Sequence, residues 1–361
     1  MRRLAIGMVA GLALVTACKR EQPAKEAAPA PATKEEIEKV QIDRALLAAF
    51  GTPLPKRIDV GDAPPSQEMI DLGRMLYYDT RLSKNHDLSC NSCHDLRNYG
   101  QDGKPVSPGH RQLTGNRNSP TVYNAAGRHA QFWDGRAATV EEQALGPILN
   151  PVEMAMPSEE RVVETLKSIP EYVELFRKAF PDEEDPVTFA NVGRAIGAFE
   201  RGLTTPSRWD EFLAGKEEAL TEEEKKGFLK FVEVGCTTCH MGTYVGGTMF
   251  QKLGLVRPWP KDNDLGRFDV TQNEADKFVF SVPTLRNVEK TAPYFHDGSV
   301  ATLDEAVRMM ASYQLGKELK DEEVRSIVAF LKTLTGKIPE EYIAQPELPP
   351  STDKTPKPDP T

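Results

Sequence analysis

Four of the five cysteines in this 361-residue chain fall in two short runs, Cys90-Asn91-Ser92-Cys93-His94 and Cys236-Thr237-Thr238-Cys239-His240. Two thiols in a Cys-x-x-Cys spacing, followed at once by a histidine, suit a porphyrin: the thiols add to its two vinyl groups and the imidazole ligates the iron below. One structural zinc held by four thiolates would use the cysteines but leave both histidines without a reason. Two small disulfides, or a thioredoxin-like dithiol, leave them equally idle. The runs therefore predict two haem c groups, one on Cys90, Cys93 and His94, the other on Cys236, Cys239 and His240.

Haem of this type is attached outside the bacterial cytoplasm, and the start of the chain fits export. Arg2 and Arg3 precede an apolar run, Leu4 to Thr16, that is too short to span a bilayer and reads as a secretory signal. Val15-Thr16-Ala17-Cys18 resembles the bacterial lipobox. Cleavage before Cys18 would leave a lipid on it and take the net charge from −9 to −11. The alternative is an ordinary signal cut nearby, with Cys18 lost or left as a stray thiol. Lys19 points to retention at the outer membrane. The sequence thus divides into a signal peptide (1–17), a lipid-attached tether (18–44) rich in Ala, Pro, Glu and Lys, a folded body, and a Pro-rich tail (338–361). Part of the tail can wrap the body; its last dozen residues are expected to be disordered. The acidic balance makes nucleic acid an unsuitable partner, because phosphate backbones recruit clustered Lys and Arg.

The body contains a repeat. Pro120-Thr121-Val122-Tyr123-Asn124 matches Pro283-Thr284-Leu285-Arg286-Asn287, Phe132-Trp133-Asp134-Gly135 matches Phe295-His296-Asp297-Gly298, and Thr139-Val140-Glu141-Glu142 matches Thr302-Leu303-Asp304-Glu305, all at an offset of 163 residues. The Cys-x-x-Cys-His runs are offset by 146, so the second unit carries 17 extra residues after its run. A constant offset over separate matches indicates a duplicated module. Each module reads as helical. Thr221-Glu222-Glu223-Glu224 forms a capping-box pattern before Gly227, Phe228, Phe231 and Val232. Ser66 caps a helix carrying Ile70, Met75 and Leu76, and a closing helix runs from about Asp321 to Leu334. The predicted fold is mainly α, with two cytochrome c-like domains (45–203 and 204–337), each around one covalently attached haem, joined by long loops.

With these blocks assembled, the chain resembles the bacterial di-haem cytochrome c peroxidase family over about residues 45–336. The resemblance rests on Gly109-His110 through Arg117-Asn118-Ser119-Pro120-Thr121, Gln131-Phe132-Trp133-Asp134-Gly135-Arg136, Glu153-Met154, Thr291-Ala292-Pro293-Tyr294-Phe295-His296-Asp297-Gly298, Met310-Ala311 and Gln314-Leu315-Gly316. It implies reduction of hydrogen peroxide with electrons from a small exported cytochrome c or copper protein. By the same resemblance Met310, with His240, ligates an electron-accepting second haem. Met310 alone would read as a core methionine, and Met309 is its neighbouring competitor. His94 holds the peroxide-reducing haem, and His110 is a displaceable sixth ligand there. Glu153 acts as acid and base, Gln143 hydrogen-bonds the peroxide, and Trp133 stands between the haems. Calcium takes the Asn118 side chain and the carbonyls of Thr291 and Pro293. A periplasmic homodimer is implied as well. Two other functions compete: a membrane-tethered di-haem electron carrier, and a related enzyme oxidising a protein substrate. In the latter branch a tyrosine stands at the place of Met310. His86, His129 and His296 receive no firm role, though His296 occupies Trp133's place in the second repeat.

Overall fold

The computed structural model describes residues 39–59, 64–261 and 263–361. Cys18, the leader and the tether up to residue 38 lie outside the described residues. The remainder is mainly helical, as expected, with one antiparallel ribbon of β1 (Phe250–Lys252) and β2 (Val279–Ser281). After α1 (Arg44–Ala48), the first half holds α2 (Gln67–Tyr78), α3 (Cys90–Cys93), α4 (Val140–Leu149), α5 (Glu159–Lys167), α6 (Pro170–Ala179) and α7 (Phe189–Glu200). The second half holds α8 (Arg208–Leu213), α9 (Glu222–Val234), α10 (Phe268–Thr271), α11 (Leu303–Met309) and α12 (Asp321–Lys332). The ribbon and α10 lie between His240 and Pro283, the stretch that carries the extra residues of the second repeat.

Each half is framed by one crossed pair of helices, α2 on α7 and α9 on α12. The helices before the two cysteine runs start where the sequence predicts: the Ser66 hydroxyl accepts from the Met69 amide, and Thr221 with Glu224 closes a full capping box. Both crossings depend on a glycine. A Cβ on Gly73 would stand 1.8 Å from the Ala195 carbonyl oxygen, and one on Gly227 would stand 2.0 Å from that of Ser326. Hydrogen alone lets backbones approach so closely. Around the crossings lie two separate cores. Leu72, Leu76, Phe176, Val192 and Phe199 fill the first. Trp209, Phe228, Phe231, Phe330 and Leu331 fill the second, with Trp209 centred 5.1 Å from Phe228 and 5.2 Å from Phe330.

The two ends of the body are exchanged between the halves. Phe50, just after α1, is fully buried in the second core, 5.4 Å from Trp209 and 5.3 Å from Phe228. The Pro-rich tail instead lies along the first half. Ile343 enters the first core, Tyr342 stacks on Phe199 at 5.1 Å, and Tyr78 donates its hydroxyl to the Ile343 carbonyl at 2.6 Å. The expectation of disorder for the last dozen residues is corrected here. Arg81 Nη1 donates to the Pro349 carbonyl at 2.8 Å, Thr352 Oγ1 to the Ser168 carbonyl at 2.9 Å, and the Asp359 amide to the Lys84 carbonyl at 2.9 Å. Arg81 donates to a strap carbonyl, while the Thr352 hydroxyl and the Asp359 amide donate from the strap to carbonyls of the body, so polar bonds in both directions hold a segment that has no apolar stripe of its own.

The repeat has a structural centre. Asn124 and Asn287, equivalent at the offset of 163, are both left-handed, with φ of 59° and 63°. Their Nδ2 atoms donate to the same hydroxyl, Thr205 Oγ1, at 2.9 and 2.8 Å. Thr205 is fully buried in the link between the halves. Thr205→Val keeps the shape and strands two buried amides, so we expect a loss of about 2–4 kcal/mol in unfolding free energy. Urea unfolding of the two proteins measures it, and a loss below about 1 kcal/mol would show that the knot does not hold the halves.

Candidate functional site

In the second half α9 ends at Gly235, whose φ of +100° turns the chain directly into Cys236. Cys236, Cys239 and His240 line a large apolar cavity walled by Phe231, Val307 and Leu331. Met310 lines the same cavity. It opens a π-helical turn, Met310–Gln314, straight after α11, a local underwinding often found at functional positions. Met309 packs against the second core instead, which separates the two neighbouring methionines by role. Burial pulls the His240 ring down to about 4, so it is neutral and able to ligate. Its Nδ1 is buried with no hydrogen-bond partner. The backbone of Val245 and Pro283 lies beside the ring, and a Cβ on Gly246 would stand 2.2 Å from Pro283 O and 3.1 Å from His240 Nδ1.

In the first half Cys90 and Cys93 sit on the single turn α3, boxed at its start by Ser89 and Ser92. The His94 amide closes that turn on the Cys90 carbonyl at 3.0 Å, and Tyr77 donates its hydroxyl to the His94 carbonyl at 2.8 Å. His94 Nδ1 stands 3.4 Å from the Gly100 carbonyl, and burial lowers the ring's pKa. The repeat offset places Pro147, inside α4, at the position equivalent to Met310. Proline offers no ligand, so the two halves differ at this point.

His110 lies on a tight loop. The Gly109 amide donates to the Leu113 carbonyl at 2.7 Å, and the His110 amide donates to the Glu153 carbonyl at 2.7 Å. A Cβ on Gly109 would meet the Val152 carbonyl oxygen at 2.1 Å. Arg111 and Gln112 follow at φ of 56° and 61°, two successive non-glycine residues in the left-handed region. Such positions are costly for residues with a Cβ and cluster at active sites, ligand clamps and switch segments. Glu153 is half-buried, and burial raises its carboxyl above the usual range while Arg136 and Asn150 partly offset this. It acts electrostatically on Cys93. His110, Glu153 and the first cysteine pair are therefore brought together. Gln143 is half-buried on α4, and its side chain makes no hydrogen bond among the described residues.

Trp133 lies where the halves meet. Its Nε1 donates to the Asn118 carbonyl at 2.9 Å, the Asn118 amide donates to the His296 carbonyl at 2.7 Å, and the Ser281 amide donates to the Trp133 carbonyl at 2.8 Å. Trp133 and His296, repeat equivalents, meet edge to face with centroids 6.4 Å apart. Beside them Arg117 forks onto Asp264 at 2.7 Å through both Nε and Nη2, and also bonds Asp134. Asn118, Thr291 and Pro293 line the same cavity as Trp133.

The electrostatics discriminate between the readings of the cysteines. Burial raises all four thiols, Cys236 to about 12, the opposite of a reactive dithiol. All four are free. The pairs belong to different cores, so no single zinc can join them. A haem fits instead. The cavity is apolar, opens on two thiols and a neutral imidazole, and holds an unpartnered buried Nε of Arg128 on its wall, suited to an anionic propionate. Glu200 is the residue that sequence reasoning missed. It is 4% exposed, with Oε2 unpartnered, and burial pushes it from 4.5 to about 8. A carboxylate four residues beyond Ile196, on the apolar face of α7, is the signal that points to it. Arg117 and Arg128 carry no such pattern.

A profile of the di-haem cytochrome c peroxidase family matches residues 67–218. The chain is 46% identical over 317 residues to the cytochrome c551 peroxidase of Pseudomonas aeruginosa, covering 86% of this chain and 91% of that protein. It is 48% identical over 301 residues to the cytochrome c551 peroxidase of Nitrosomonas europaea, covering 82% and 88%. Among solved structures, a MauG-like protein associated with microbial copper homeostasis superposes with a TM-score of 0.71 at 31% identity, covering 82% of this chain and 97% of that one.

Glu200 gives a test of the site's electrostatics. Its folded pKa lies above the unfolded value, so the native state binds the extra proton. Its stabilising contribution is full below about 4.5 and is lost as pH rises through about 8. Unfolding free energies of wild type and Glu200→Gln at the two ends of that window should show a steeper decline for wild type. Parallel pH dependences would show that Glu200 titrates normally.

Proposed function

The chain belongs to the di-haem cytochrome c peroxidase family, and from that premise we propose how its residues divide the reduction of hydrogen peroxide to water. The asymmetry between the halves carries the reading. The second half offers His240 and Met310 to one cavity, whereas the first has Pro147 in place of the methionine and a strained loop bearing His110 beside Glu153. A site closed by two protein ligands suits electron storage, and thioether ligation favours the reduced metal. A site with one fixed ligand suits an incoming oxidant.

Bound haem supplies the electrons and the metal that receives the peroxide. Cys90, Cys93 and His94 hold the peroxide-reducing group, and Cys236, Cys239, His240 and Met310 hold the electron-accepting one. Glu153 takes the proton from one peroxide oxygen and returns it to the departing one, and burial, which raises its carboxyl above the usual range, makes it a better proton acceptor. Gln143, with no other hydrogen-bond partner, is free to bind the peroxide. His110 is the displaceable ligand, leaving when its loop changes conformation. Trp133 packs between the halves and relays electrons. Asn118 gives Nδ2 to the carbonyls of Lys104 and Pro105 at 2.9 and 3.3 Å, which leaves Oδ1 for calcium with the carbonyls of Thr291 and Pro293. Outside the described residues, Cys18 is read as the lipid anchor of an outer-membrane periplasmic protein. No described helix is long and apolar enough to cross a membrane. The electron donor is a small cytochrome c or copper protein, and the enzyme is read as a homodimer.

The test is peroxide-dependent oxidation of a reduced small cytochrome c by haem-loaded protein, with and without pre-reduction. Wild type is expected to turn over only after pre-reduction, and His110→Gly in both cases. Glu153→Gln should lower kcat by about 10²–10⁴-fold. No turnover with any donor, calcium supplied, would leave the membrane-tethered electron carrier as the better reading.

A further inference from the structure

The strap ends against the loop that carries His110. His110 Nε2 lies 3.2 Å from the main-chain oxygen of Thr361, which can only accept, so the ring nitrogen carries the proton. Lys84 Nζ donates to the same oxygen at 2.8 Å and stands 3.5 Å from Asp359 Oδ2. The Asp359 and Lys84 backbones are joined at 2.9 Å, and the Lys84 amide donates in turn to the carbonyl of Met154, next to Glu153, at 2.8 Å. Upstream, the strap is anchored through Thr355, 5% exposed, whose Oγ1 accepts from Ser168 Oγ at 3.0 Å. His110 itself is 5% exposed. The contact thus joins a buried ring to an exposed segment that Thr355 anchors.

A nitrogen that donates its proton to an oxygen has no lone pair for a metal. We propose that residues 357–361 are a positioning element of the peroxide site: the main-chain oxygen of Thr361, clamped by Lys84, receives His110 Nε2 and holds it in the displaced position. The inference rests on reading His110 as a displaceable ligand. Strap and iron then compete for one nitrogen atom, and strengthening either weakens the other. The strap also explains how a strained loop stays ordered after release, since it exchanges a metal bond for a hydrogen bond at a fixed place.

The test uses the haem-loaded protein shortened after Pro356, which keeps the Thr355 anchor, and Lys84→Met in the full chain as an independent variant. Loss of one hydrogen bond should shift the balance toward the ligated form by about fivefold. The first measurement is the low-spin six-coordinate fraction of the N-terminal haem after pre-reduction, by electron paramagnetic resonance and optical spectra. The second is amide exchange at residues 109–113, expected to rise in the pre-reduced shortened protein. Both variants should show the spectral shift, and His110→Gly should abolish it in the same backgrounds. Unchanged spectra in both variants, with His110→Gly still active without pre-reduction, would overturn the strap and keep the displaceable ligand. A His110→Gly protein that still needs pre-reduction would remove the displaceable ligand and the strap's role together.

Discussion

One hydroxyl joins the two halves. Thr205 Oγ1 accepts a hydrogen bond from Asn124 and another from Asn287, filling both of its acceptor positions from repeat-equivalent side chains. The constraint is geometric as well as energetic. Each asparagine is left-handed and each begins the loop that leads to Trp133 or to His296. Fixing both at one buried atom makes those aromatic equivalents face each other. The Arg117–Asp264 fork then closes the same seam from the side. Charge of that kind at 18% and 11% side-chain exposure is costly to desolvate, and the bidentate geometry is what offsets it.

The unpaired polar atoms show what the fold is built around. His240 Nδ1, His296 Nδ1, Arg128 Nε and Glu200 Oε2 are all buried without partners. His240, His296 and Arg128 line the haem cavity; Glu200 acts electrostatically on Arg128 and on Cys90. In a core closed on itself, each orphan would cost about 1–3 kcal/mol. Among the described residues eight buried side-chain atoms lack partners, and three of them, on His240, His296 and Arg128, lie on the cavity wall, where a bound group with apolar faces and anionic edges would meet them.

Much of this was legible from residue types. The Cys-x-x-Cys-His runs, the 163-residue offset, the caps at Ser66 and Thr221 and the closing helix are local patterns, and local patterns survive folding. The partnership of the chain ends was not legible. Phe50 is simply an apolar residue beside a short helix, and nothing in its neighbourhood names the second core as its destination. The tail escapes a sequence reading for a different reason. Periodicity detects segments that bury side chains, whereas residues 349–361 are held by main-chain oxygens accepting from Arg81 and Lys84 and by strap donors to Ser168 and Lys84. Such a strap has the composition of a disordered segment and the hydrogen bonding of a folded one. Met310 was singled out by resemblance. What separates it from Met309 is the π turn, which puts the two methionines on different surroundings and leaves no trace in composition.

Duplication gives two equal frames, and function requires them to be unequal. The differences are few and lie at equivalent places. Met310 corresponds to Pro147 and His296 to Trp133, and the stretch between His240 and Pro283 is longer than its counterpart between His94 and Pro120. The longer stretch carries the ribbon whose Ser281 amide holds the Trp133 carbonyl, so the insertion in one half positions the aromatic residue of the other. The shorter stretch carries the His110 loop, whose strained turn is braced by Glu153 and by the strap. Both asymmetries leave the helix crossings at Gly73 and Gly227 untouched. The duplicated helices set the frame, and the unequal loops set what each frame can bind.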